Sequence, residues 1–270
     1  MMTTPEADKM AMCWHGDPGH IMRRVAEIGY EGVELQVRDP EQLDAAALGK
    51  LAKDAGIAVT AISTGSIGSS DGLYFCAGDA DVRRRTIERY KSVLRFASAF
   101  GVDASIGRMR GTTKMAPDAK TAWGWFRAAL EELLPLAESL GVRIVLEPQA
   151  RYIGDMLNTI GETVDFIKTF DTKSLTFEAD LHHQGYEERS LVGALVAAQR
   201  SGYMTYVQIA DSNRLAPGSG SFNWVDIIET LRALGYDGWL AMEFQQTPDY
   251  ETCAQQAYRV VKGALDGYRP

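Results

Sequence analysis

At 270 residues, with 46% hydrophobic and 24% charged side chains, the chain is long enough to bury a sizeable core without disulfide or metal staples. Lys and Arg total 28 against 36 Asp and Glu, so the formal charge is −8, which repels phosphate backbones and argues against nucleic acid as a partner. The three cysteines lack metal-type spacing, and neither an apolar leader nor a run of about eighteen apolar residues occurs, so a reduced, cytoplasmic, membrane-free protein is expected.

One domain spanning residues 1–270 is expected, with residues 1–8 as a flexible tail. In chain order, a first strand is expected at Met10–Trp14, then a helix whose stripe is Ile21, Val25 and Ile28. Further strands are expected at Gly32–Gln36, Ile57–Ser63 and Asp103–Gly107, the last weakly β-forming because only Ile106 favours a strand strongly. Tyr90, Val93, Leu94 and Phe96 mark another helix, in which the basic run Arg83–Arg85 reads as a solvated face. Leu130, Leu133, Leu134 and Leu136 mark a third, followed by strands at Val142–Glu147, Ser174–Phe177, Thr205–Ala210 and Gly238–Phe244. Gly29, Gly56, Gly141 and Gly235 each stand between a helix and a strand, where a left-handed residue closes the helix. Strands alternating with helices imply a parallel sheet with right-handed crossovers. At this length a single (β/α)8 TIM barrel is the economical solution. An open doubly wound sheet is the alternative, but no G-x-G-x-x-G follows the first strand.

A barrel gathers the carboxyl ends of its strands at one pocket, whatever their separation in sequence. Four of the later strands end in polar groups: Glu147 before Pro148, Asp180 followed by His182 and His183, Gln208 followed by Asp211, and Glu243. Three carboxylates facing one pocket repel each other, and a divalent cation resolves the conflict. Oxygen donors of this kind suit Mg²⁺ or Mn²⁺ first, with Co²⁺ or Zn²⁺ as further candidates. A lone carboxylate at a strand end is more often structural, but four consecutive strands ending this way point to chemistry. Trp14, His15, Glu34 and Arg108 lie near the ends of earlier strands and are candidate pocket residues, while Gly218 and Gly220 read as loop-shaping, with phosphate binding as the rival reading.

Leu146-Glu-Pro-Gln, Asp180-Leu-His-His-Gln-Gly-Tyr-Glu-Glu, Val207-Gln-Ile-Ala-Asp-Ser-Asn-Arg and Gly235-Tyr-Asp-Gly-Trp-Leu-Ala-Met-Glu resemble the xylose-isomerase-like barrel superfamily of sugar isomerases and epimerases. Ketose 3-epimerases and hydroxypyruvate isomerases are the members it is most similar to. The resemblance implies Glu147, Asp180, Gln208 and Glu243 as metal ligands, Glu147 and Glu243 as the catalytic pair, and His183 and Arg214 as substrate-binding residues. It also implies a homo-oligomer, a dimer or tetramer. Two positions depart from the epimerases: they carry histidine where this chain has Gln208, and a second polar or acidic residue where it has Ala150 and Ile153.

The chemistry so implied is isomerisation or epimerisation of a small ketose, sugar or 2-oxo acid, with glutamate-mediated proton transfer through a metal-bound cis-enediolate. Two alternatives stand beside it. A lyase of the inosose dehydratase type begins with the same proton abstraction, and a non-catalytic sugar-binding barrel keeps the pocket without the chemistry. The superfamily's DNA-repair nucleases fit less well, because their multinuclear zinc sites need many histidines and this chain has four.

Overall fold

A computed structural model describes residues 1–6 and 12–267. Eight parallel strands run in chain order around a nearly closed barrel: β1 (Met2–Thr3), β2 (Gly32–Gln36), β3 (Ala58–Ser63), β4 (Ala104–Ile106), β5 (Ile144–Leu146), β6 (Leu175–Asp180), β7 (Met204–Ile209) and β8 (Leu240–Met242). Helices α1 (Pro18–Ile28), α2 (Ala45–Ala55), α3 (Gly65–Asp71), α4 (Ala80–Ser98) and α5 (Ala119–Leu140) alternate with the first strands. Helices α6 (Ile160–Ile167), α8 (Leu191–Ser201), α9 (Trp224–Ala233) and α10 (Tyr250–Leu265) complete the outer ring, and the short α7 (Leu181–Glu187) follows β6 directly. The fold is the expected single (β/α)8 TIM barrel.

Local chemistry sets the element ends. Asp17, Asp44, Asp118, Ser190 and Asp249 cap helix amino termini by accepting a backbone N–H, satisfying donors that have no partner within the helix. Gly29 and Gly141 close α1 and α5 at φ 114° and 66°, the left-handed region that glycine enters without a Cβ penalty. Alternation along β2 sends Val33 and Leu35 to the apolar layer shared with Val25 and Ala52 of α1 and α2. The intervening Glu34 and Gln36 turn to the barrel interior, both buried. The same period places Glu178 and Asp180 on one side of β6, and Tyr206 and Gln208 on one side of β7. Asp180 and Gln208 sit side by side in register.

The amino terminus departs from expectation. The first strand is Met2–Thr3 rather than Met10–Trp14, of which Met10 and Ala11 lie outside the described residues. Trp14 joins as a single parallel bridge: its N–H donates to Met2 O and its carbonyl accepts from Thr4 N, both at 3.1 Å. Residues 1–4 are buried, so the flexible tail expected at 1–8 is wrong for them, while residues 7 and 8 lie outside the described residues. A two-residue strand ending near Pro5 is too short to show a period, which is why the longer apolar run drew the assignment. The three cysteines are unpaired and buried. Among the described residues no helix is long and apolar enough to cross a membrane.

Candidate active site

Glu147 is the first residue past β5, where Pro148 has no N–H to continue the ladder. Its backbone is tied on both sides: Glu147 N donates to Ile106 O at 3.3 Å, and Arg110 Nη1 donates to Glu147 O at 2.9 Å. Gln149 Nε2 donates to Glu147 Oε2 at 2.7 Å, which fixes the carboxylate rotor and leaves Oε1 without a hydrogen bond. Asp180 ends β6 and caps α7, its Oδ1 accepting from His182 N at 2.8 Å and His183 N at 3.3 Å. That leaves Oδ2 for Arg214 Nη1 at 2.5 Å, with His183 Nε2 at 3.7 Å. Glu243, the first residue past β8, has Oε2 at 2.8 Å from Arg214 Nη2. The Arg214 guanidinium therefore spans two carboxylates from strands β6 and β8.

Glu147, Asp180 and His183 each offer one ligand atom, and these atoms lie within 4.8 Å of one another. His183 Nε2 is 3.4 Å from Glu147 Oε1. The structure thus brings the expected substrate-binding histidine into the cluster of expected metal donors. Arg214, expected to bind substrate oxygens, lines the cavity and also bridges Asp180 and Glu243. Gln208 Oε1 is buried and accepts no hydrogen bond, as is Oε1 of Glu147.

Electrostatics make the crowding plain. Burial raises Glu147, assisted by Asp180 and opposed by Arg214 and Arg110, so its carboxyl is pushed up to about 8. Burial likewise holds Glu243 well above the usual carboxylate range. Burial works against the Asp180 charge too, but the Arg214 guanidinium, aided by His183 and hydrogen bonds from Glu243 and Arg214, holds Asp180 below its usual value. Burial lowers His183 to about 4, so its ring is neutral at pH 7 and one nitrogen carries a lone pair. One guanidinium cannot neutralise three carboxylates. Buried oxygen donors without hydrogen bonds, beside a neutral imidazole and carboxyls that keep their protons for want of positive charge, fit a divalent cation.

Above this floor lies a cavity of about 320 Å³, lined in part by Glu147, His183, Arg214 and Glu243. Arg108, one of the candidates from the earlier strands, also lines it, as do Gln36, Gln149 and Tyr152, which sequence reasoning passed over. Gln149 had a signal, standing two residues after Glu147 in Glu-Pro-Gln; Tyr152 had none. His182 turns away from the cluster, its Nδ1 3.2 Å from Asp211 O and its Nε2 2.9 Å from the Tyr152 hydroxyl. The carbonyl can only accept, so Nδ1 carries the proton and Tyr152 donates to Nε2. Asp211 organises the loop after β7, accepting from Gly218 N at 2.8 Å and Trp224 Nε1 at 3.0 Å. The Gly218 amide is therefore spent on Asp211, which disfavours the phosphate-binding reading. Trp14 serves the fold, stacked on Tyr250. A larger cavity of about 420 Å³ opens at the amino-terminal end of the strands, beside Tyr30, Thr60 and Trp239, and none of the expected site residues lines it.

The chain is similar to known proteins over most of its length. A D-psicose 3-epimerase of Ruminiclostridium cellulolyticum is 28% identical over 243 residues, covering 85% of this chain and 79% of that one. A 3-dehydro-D-guloside 4-epimerase of Escherichia coli is 28% identical over 82% of this chain and 84% of its own length. The solved structure of an L-ribulose 3-epimerase superposes with a TM-score of 0.83 at 21% identity, covering 100% of this chain and 99% of the other, a likeness of fold. The family model for the xylose isomerase-like TIM barrel matches residues 22–263, and the chain belongs to that family.

Proposed function

We propose that the protein is a divalent-metal-dependent epimerase or isomerase of a small ketose or related keto-sugar. The observation that carries the reading is the pair Glu147 and Glu243, one residue past β5 and β8, lining one cavity from strands separated by two others. Two carboxyls reaching a substrate from different sides can remove a proton from one face of a carbon and return one to the other. The epimerases among its relatives support the same chemistry.

Glu147, Asp180, Gln208 and Glu243, with His183 as a neighbouring donor, would hold the ion. When bound, a divalent cation such as Mn²⁺ or Mg²⁺ supplies Lewis-acid polarisation of the substrate carbonyl and brings the glutamates towards their charged forms. Glu147 Oε1, free of hydrogen bonds because Gln149 holds the other oxygen, accepts the proton from the carbon beside the carbonyl. The carbanion delocalises onto oxygen as an enediolate, and Arg214 holds the charge that develops there. Glu243 delivers a proton from the other side, and the reverse reaction exchanges the two roles. His183, neutral at working pH, orients a substrate hydroxyl. General acid–base work of this kind contributes roughly a hundred- to ten-thousandfold.

The test is incubation of Mn²⁺-loaded protein in D₂O with ketoses, 3-keto-glycosides, hydroxypyruvate, 2-oxo-tetronates and inososes, followed by NMR and mass spectrometry. Deuterium is expected at the carbon beside the carbonyl of at least one compound, and Glu147→Gln and Glu243→Gln should each abolish turnover. Loss of about 18 Da from the substrate would assign a lyase instead. Absence of exchange with every compound, in folded and metal-loaded protein, would overturn the reading.

A further inference from the structure

Gln208 is a neutral amide among carboxylates, and its two ends are nearly identical in shape but opposite in function. The oxygen accepts and can bind a cation; the nitrogen only donates. One end is committed: Gln208 Nε2 donates to Glu34 Oε1 at 3.0 Å, while Gln208 Oε1 is buried without a hydrogen bond. Glu34 comes from β2, 174 residues away in sequence, and is 1% exposed. It turns inward because the alternating Val33 and Leu35 belong to the apolar layer outside the barrel.

From this geometry we infer that Glu34 is a positioning residue that sets the flip of the Gln208 amide, so that its carbonyl oxygen is the atom offered to the metal. The inference rests on the metal-dependent reading of the site. Glu34 Oε1 meets the amide as an acceptor. Were the amide rotated by half a turn, Gln208 Oε1 would face a Glu34 oxygen with no proton between them, and the NH₂ group would point at the cation. Both consequences are unfavourable in a buried place, where an unpaired polar contact keeps its full cost. Glu34 does not line the cavity. Its effect passes through Gln208, as outer partners orient the ligands of other metal sites.

The experiment is Mn²⁺ binding to chelator-treated protein, followed by electron paramagnetic resonance of the free ion, with circular dichroism to check the fold. Glu34→Leu removes the acceptor and should weaken Mn²⁺ binding by about 10–100-fold, the range found when outer partners of metal ligands are lost. Glu34→Gln is isosteric but offers a donor as well as an acceptor, so it should weaken binding several-fold and by less. Because Glu34 acts through Gln208, Glu34→Leu in a Gln208→Leu background should cost nothing further. Wild-type affinity in both Glu34 variants, or a fully additive loss in the double variant, would overturn the inference. If Glu34→Leu does not fold, Glu34→Gln decides alone, and unchanged affinity there overturns it. Wild-type protein that binds no Mn²⁺ sinks the functional reading as well, whereas binding that ignores Glu34 removes only this inference.

Discussion

Arg214 brings one positive charge to a floor where Glu147, Asp180 and Glu243 converge, and its fork spans Asp180 and Glu243. Its backbone is pinned in a left-handed conformation, φ 61°, with N–H to Asp211 O at 2.9 Å and its carbonyl accepting from Gln245 N at 2.8 Å. The side chain therefore has a fixed origin and can act as the counter-charge of the metal-free site. Arg214→Met is expected to destabilise chelator-treated protein by at most about 3–5 kcal/mol, the cost of breaking a buried ion pair, since Glu243 can relieve the repulsion by taking up a proton. The same variant should gain more thermal stability from Mn²⁺ than wild type does, because the ion then supplies the missing positive charge. Differential scanning fluorimetry with and without Mn²⁺ measures both effects. A smaller Mn²⁺ increment in the variant would show that Arg214 assists the ion instead of standing in for it.

At the scale of elements, the turn after β4 sets the position of the base. A Cβ added at Gly107 would lie 2.5 Å from Glu147 Oε2, so that oxygen could not stay in place on Gln149 Nε2. Gly107→Ala is expected to lower kcat by about 100-fold, the loss that accompanies misplacement of a catalytic group by roughly 1 Å, with little change in melting temperature. Steady-state kinetics beside a thermal melt would check this, and unchanged kcat would mean that Glu147 has another productive position. The same scale shows what the sequence could and could not convey. Glu147, Asp180, Gln208 and Glu243 were legible because each follows an apolar β run, and a barrel turns every strand end toward one place. Helix ends were legible through Gly29 and Gly141, which need the left-handed region. The strand at Met2–Thr3 was not, since two residues carry no period. Nor could sequence show that Arg214 joins Asp180 to Glu243, or that Tyr152 is held by His182, because side-chain pairing across loops leaves no spacing to read. Glu34 was visible as a strand residue, but its hydrogen bond to Gln208 appears only when β2 and β7 face each other across the barrel.

For the whole molecule, the proposed donors come from β5, β6, β7 and β8, so an ion held by them ties half the barrel together at its carboxyl rim. Its thermal effect should depend on pH in a direction fixed by Glu147. That carboxyl moves from 4.5 to about 8 on folding, because burial penalises its charge. The folded protein then binds the proton more tightly than the unfolded chain does. The stability linked to this group is fully present below the unfolded value of 4.5 and is lost as pH rises through about 8. An ion requires the deprotonated carboxylate, so it competes with that proton and is favoured as pH rises. At a free ion concentration about 100 times Kd, binding contributes roughly 2.7 kcal/mol, which for a chain of this size raises Tm by about 5 °C. At a fixed Mn²⁺ concentration the increment should therefore be small near pH 6 and grow towards pH 8, while the chelator-treated protein loses stability over the same interval. Glu147→Gln cannot ionise, so it should remove the Glu147 share of both trends and leave the share that Glu243 carries. An increment that stays constant or shrinks between pH 6 and 8 would mean that Glu147 does not release its proton to bind the ion, and would remove it from the ligand set.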